Sequence, residues 1–129
     1  MRQPKVVILC VDDEENPLIL RKLVLQKAGY DVVTANSGRK ALEVLQSQPI
    51  DLVLSDLLMP GMTGTELARR IKDLHPKLPV VLVSGVNEIP PEASCADLFI
   101  SKVEGPISLC ENISAVLGRN NSDGAGRTQ

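Results

Sequence analysis

Tryptophan is absent, histidine occurs once, and Phe99 and Tyr30 are the only aromatic residues in a chain of 129. Whatever core this protein builds must be packed by aliphatic side chains, and the chain is long enough to bury one as a single domain. Charge of one sign is lacking too. Fourteen basic against 16 acidic side chains leave a formal net charge of −2. The lysines and arginines are scattered rather than gathered into a stripe, which excludes a basic field for direct nucleic-acid binding. Cysteine is sparse and odd in number: Cys10, Cys95 and Cys110 lack the close pairing of zinc or redox motifs, so they read as reduced thiols of a cytoplasmic protein, used as small core residues. No apolar stretch approaches the roughly 18 residues of a membrane span, and the start shows no signal-peptide pattern. The expectation is a soluble cytoplasmic domain. The single histidine, His75, sits beside Pro76 in a turn and is assigned no chemistry.

What the chain does have is alternation. Val6 to Val11 is an unbroken apolar run of strand length, rich in β-branched residues, as a strand buried on both faces should be. Asn16 and Pro17 then predict a helix start, with Leu20, Leu23, Val24 and Ala28 as its inward stripe and Gly29 as its stop. The same unit recurs. DVVTA reads as a strand, a helix capped by Ser37 follows, DLVLSD is a third strand, and the turn-rich MPGMTG leads into a helix from about Thr65. That helix places Leu67, Ala68, Ile71 and Leu74 on one face. VVLVS and DLFIS are the last strands, and a final helix begins at Pro106, directs Ile107, Cys110, Ile113, Val116 and Leu117 inward and stops near Gly118. Five strands and about five helices in strict alternation predict a doubly wound α/β domain around a parallel sheet. It is assigned residues 1–118. Residues 119–129 have almost nothing apolar to bury and are expected to be a flexible tail or a linker stump.

Four of the apolar runs end in a polar residue: Asp12 and Asp13, then Asp56, Ser84 and Lys102. In an open parallel sheet ligands bind outside the carboxyl ends of the strands, so residues distant in sequence converge there. Each aspartate alone is an ordinary loop-capping residue, and Lys102 or Ser84 alone an ordinary surface or turn residue. Their joint placement is what carries weight. Two carboxylates about 4 Å apart repel by roughly 4 kcal/mol at an effective dielectric of 20, so three of them call for a cation. Oxygen ligands with no histidine nearby favour Mg²⁺. Together these groups fit phosphoryl chemistry, which relies on positioning and charge stabilisation.

On VDDEE, LSDLLMPGMTG, VLVSG and FISK, residues 4 to 118 resemble the receiver domain of bacterial two-component response regulators. The resemblance implies a flavodoxin-like sheet of order 2-1-3-4-5. It implies that Asp56 accepts a phosphoryl group from a sensor histidine kinase or a histidine phosphotransfer protein, and that Asp12 and Asp13, with Asp56 and the backbone carbonyl of Leu58, hold Mg²⁺. Lys102 would pair with the phosphoryl group, Ser84 would be the switch hydroxyl and Phe99 the switch aromatic. The first helix would dock the histidine-bearing partner, with Leu18, Ile19 and Leu25 widening its apolar surface.

The chain departs from the family in two places. The family usually carries a proline after the lysine, whereas Val103 follows Lys102 here, so a trans peptide is expected at this loop. The segment from Ser84 to Lys102 is about one helical turn short and contains Pro90 and Pro91, which predicts a shortened fourth helix. A degenerate receiver that binds a partner without phosphorylation is the alternative. An aspartyl-nucleophile phosphatase of the haloacid dehalogenase type is disfavoured, because it needs a second aspartate where Leu58 stands.

Overall fold

The structure, a computed structural model, describes residues 5–85 and 95–125, with side chains to Gly118. Nine elements alternate: β1 (Val7–Val11), α1 (Glu15–Lys27), β2 (Asp31–Ala35), α2 (Gly38–Ser47), β3 (Leu52–Asp56), α3 (Gly64–Leu74), β4 (Val80–Ser84), β5 (Leu98–Ser101) and α4 (Pro106–Ala125). The strands form one parallel sheet in the order β2-β1-β3-β4-β5. The three central strands are almost entirely buried, which is why they read as continuous Val/Ile/Leu runs rather than alternating ones.

Each face of the sheet carries its own aliphatic core. On one, Leu9, Val11, Val53 and Leu82 meet Ala41 of α2 and Leu67, Ala68 and Ile71 of α3. On the other, Ile8, Cys10, Leu54 and Val81 meet Leu18 and Leu25 of α1 and Ile113 and Val116 of α4. Helix starts follow their capping chemistry. Ser37 Oγ accepts the Lys40 N–H at 3.1 Å and Thr63 Oγ1 accepts the Glu66 N–H at 3.2 Å.

Several expectations need correction. Helix α1 starts one residue before Asn16, with Glu14 at the N-cap and no side-chain cap, so Pro17 occupies its third position. That phase turns Leu18 and Leu25 into the core and leaves Leu20 and Leu23 exposed, the reverse of the stripe read from the sequence. Leu74 and Ile107 are also exposed, both in the end turns of their helices where the sheet no longer covers them. Cys10 is buried and Cys110 half-buried, but Cys95 is exposed. Helix α4 continues through Gly118 to Ala125, because a glycine inside a helix costs only about 1 kcal/mol and leaves the backbone ladder intact. Among the described residues there are four helices; the expected shortened fourth helix, with Pro90 and Pro91, lies in 86–94, outside them.

Candidate functional site

The carboxyl ends of β1, β3, β4 and β5 are held level by hydrogen bonds that run just past the strands. The Leu57 N–H donates to Val83 O at 2.9 Å and the Lys102 N–H to Ser84 O at 2.8 Å. This brings together what the sequence had separated by tens of residues. Carboxylate oxygens of Asp12, Asp13 and Asp56 all lie within 4.8 Å of one another. Asp12 and Asp56 are buried, whereas Asp13 is exposed and lines an open cleft of about 480 Å³ with Asn36 and Lys40. Lys102 Nζ stands 2.7 Å from Asp56 Oδ1. All peptide bonds among the described residues are trans, so the lysine reaches the carboxylate without the proline that usually follows it.

Ser84 is buried at the end of β4, opposite Ser101. Phe99 pairs with Leu82 and is half-buried against the core on the α2 and α3 side. Leu58 is exposed in the loop beyond β3, and its carbonyl accepts no backbone hydrogen bond among the described residues, which leaves it open to a ligand.

The electrostatics are set by crowding. Burial pushes the Asp56 carboxyl above its ordinary range, the Lys102 ammonium pulls it back, and the Asp12 carboxylate beside it pushes further upward. Oδ1 of Asp56 is buried, with the Lys102 ammonium as its charge-assisted hydrogen-bond partner. Three carboxylates clustered this closely fit a hard divalent cation, and Mg²⁺ matches the all-oxygen donor set. The raised carboxyl also gives a stability prediction. The ionised form is disfavoured in the fold, so the wild type loses stability as pH rises through the raised pKa. It suffers no such penalty below the ordinary value of 3.8. Asp56→Asn is expected to melt a few degrees above wild type at neutral pH and level with it below the ordinary carboxylate range. Calorimetric melts across that pH range check this, and a constant difference at all pH values would refute it.

Two residues that the sequence did not single out shape the site. Arg21, on α1, places Nη1 2.8 Å from Asp12 Oδ2 and is 13% exposed. Its signal in the sequence is weak, because Arg21 is one of two adjacent cations, with Lys22, inside LILRKLVL, and only the helix phase distinguishes them. Gly64 opens α3 beneath the Asp56 peptide, with its N–H donating to Leu57 O at 2.8 Å. A Cβ there would lie 2.3 Å from the Asp56 carbonyl oxygen. No periodicity marks that contact.

Comparison with known proteins supplies the remaining observation. A family model described as the response regulator receiver domain matches residues 8–114. Response regulator GtcR of Aneurinibacillus migulanus is 34% identical over 116 residues, covering 87% of this chain and 48% of GtcR. The transcriptional regulatory protein GlrR of Escherichia coli is 42% identical over 83 residues, covering 64% of this chain and 19% of GlrR. The chain thus spans half or less of the length of these relatives. Among solved structures, the response regulator TrrA of Thermotoga maritima, in complex with Mg²⁺ and BeF, superposes with a TM-score of 0.81 at 33% identity, covering 86% of this chain and 98% of that one.

Proposed function

The chain belongs to the response regulator receiver family, a family of signalling domains, and from that premise we propose that it is a working phosphoacceptor that takes a phosphoryl group on Asp56. The donor is a phosphohistidine on a sensor histidine kinase or a phosphotransfer protein. A carboxylate oxygen of Asp56 forms the new P–O bond while the P–N bond to the imidazole breaks and the ring nitrogen leaves with the electron pair. The observation that supports this most is the Lys102 ammonium, seated 2.7 Å from a buried Asp56 oxygen at the end of a separate strand. That cation is placed to hold the nucleophile before transfer and a phosphoryl oxygen after it. Asp12, Asp13, Asp56 and the carbonyl of Leu58 would hold Mg²⁺, which when bound supplies charge neutralisation for the transferring group.

Ser84 and Phe99 are the two-state element in this reading. Contacts made only to the phosphorylated site would draw the buried hydroxyl toward it and let the half-buried ring turn inward. Moving such a switch from 1:99 to 99:1 needs about 5.5 kcal/mol of differential stabilisation, which several charge-assisted hydrogen bonds supply. For the partner, α1 presents Ile19, Leu20 and Leu23 to solvent beside the site. An apolar face next to the nucleophile suits a helical histidine-bearing protein. The domain catalyses only its own phosphorylation and dephosphorylation, acts in the cytoplasm and binds no nucleic acid directly. Residues 119–129 serve as its tail or linker. Among the described residues no helix is long and apolar enough to cross a membrane.

One feature favours the alternative of a degenerate receiver. The half-buried Arg21 already neutralises Asp12, which a constitutive binding module would need in place of a metal. The two readings part on intact mass. After incubation with Mg²⁺ and acetyl phosphate, wild type is expected to gain a single phosphoryl adduct and Asp56→Asn none. No adduct on either, with a cognate kinase also failing, would leave the constitutive module as the better account.

A further inference from the structure

Arg21 has no part in the phosphoacceptor chemistry described above, yet it is less exposed than Lys102 and contacts a ligand residue at nearly the same distance, 2.8 Å against 2.7 Å. Its Nη1 donates to Asp12 Oδ2 at 2.8 Å, while the other Asp12 oxygen accepts the Glu14 N–H at 2.9 Å. Both oxygens of this carboxylate are thus engaged before any metal arrives. The charge count matters as much as the geometry. Three carboxylates facing Lys102 alone would present a divalent cation with a net double negative charge; with Arg21 added they present a single one. The guanidinium cannot relieve this by losing its proton. Its influence is not confined to Asp12, because its positive charge also favours the ionised forms of Asp56 and of Cys10.

We propose that Arg21 is a resident counter-cation that competes with Mg²⁺ for Asp12 and so sets the ion concentration at which the site loads. This rests on reading the site as a Mg²⁺-dependent phosphoacceptor. By linkage the coupling is reciprocal: loading weakens the hold of Asp12 on Arg21 by the same factor that Arg21 weakens Mg²⁺ binding. The released guanidinium has somewhere to go. Arg21 borders a groove of about 200 Å³ between α1 and α4, together with Pro17, Leu20, Lys102 and Leu109. Metal loading therefore adds positive charge to the groove beside the exposed apolar face of α1.

The test is a Mg²⁺ titration of the full chain by calorimetry, with the side-chain N–H resonance of Arg21 followed by NMR in wild type. Arg21→Met removes the charge and keeps an apolar stem of similar reach; Arg21→Lys keeps the charge. Arg21→Met is expected to bind Mg²⁺ about tenfold more tightly than wild type, and Arg21→Lys within about twofold of it. In wild type the Arg21 resonance should shift in step with ion binding. If Arg21→Met does not fold, Arg21→Gln carries the same expectation. Equal or weaker binding by the neutral variants, in a protein whose Mg²⁺ binding is lost with Asp56→Asn, would overturn the competition and leave Arg21 as a strut for Asp12. Absence of Mg²⁺ binding from wild type and every variant would overturn the phosphoacceptor reading itself, and this inference with it.

Discussion

Gly64→Ala is expected to cost about 3 kcal/mol or more and to lower Tm by roughly 10–20 °C. The added Cβ would lie 2.3 Å from the Asp56 carbonyl oxygen, 3.0 Å from Leu57 Cα and 3.1 Å from Leu82 Cδ2. Two of those atoms are backbone and cannot swing aside, so either α3 must lift from the sheet or the Asp56 peptide must move. The change also has a favourable side, since alanine is better than glycine in a helix by up to about 1 kcal/mol, and the clash must outweigh it. Gly38→Ala makes the instructive comparison. A Cβ there meets Met62 Sδ at 2.7 Å, Cβ at 3.1 Å and Cγ at 3.2 Å, all on one side chain whose thioether can swing while its Cβ must give by a few tenths of an ångström, so a smaller loss of Tm than for Gly64→Ala is expected. Thermal melts of the two variants side by side check the argument. A Gly64→Ala melt within experimental error of wild type would show that the close approach of α3 to Asp56 is not needed.

Asp13→Asn should separate metal binding from stability. Asp13 is exposed, unlike Asp12 and Asp56, so its substitution is expected to leave unfolding free energy within about 0.5 kcal/mol of wild type. The same change removes one of three carboxylates whose oxygens lie within 4.8 Å of one another. Losing a full ligand charge from a site for a hard divalent ion is expected to weaken Mg²⁺ binding on the order of 100-fold. Calorimetric titration with Mg²⁺ reads the affinity and a denaturant melt reads the stability. Unchanged Mg²⁺ affinity would mean that the ion is held elsewhere. The contrast with Asp56→Asn is part of the prediction, because there the lost charge was a buried one and stability rises.

The exposed apolar face of α1 illustrates how a sequence can give the right helix and the wrong surface. The apolar residues of LILRKLVL cover most of the circumference, so periodicity alone cannot choose which of them faces the sheet. Starting the helix at Glu15 buries Leu18 and Leu25 and exposes Ile19, Leu20 and Leu23. The same phase carries Arg21 to Asp12, a contact nine residues away in sequence that no capping or pairing rule for helices anticipates. Where the pattern was cleaner most of the reading held. In α3, Leu67, Ala68 and Ile71 form a stripe among charged residues and are fully buried, whereas Leu74, read on the same face, is exposed in the last turn.

The sequence by itself determined the alternation of strands and helices, the parallel sheet and the positions of Asp12, Asp13, Asp56, Ser84 and Lys102 at strand ends. It could do so because buried parallel strands are continuous apolar runs and each of these residues ends one or lies within two positions of its end. Tertiary structure alone decided the rest: which face of α1 is buried, that Lys102 reaches Asp56 without a proline behind it, that Arg21 holds Asp12, and that only a hydrogen atom fits at Gly64. Those outcomes depend on distances between elements, at the scale of a single side-chain bond, and that is set by how helices pack on the sheet rather than by any local pattern along the chain.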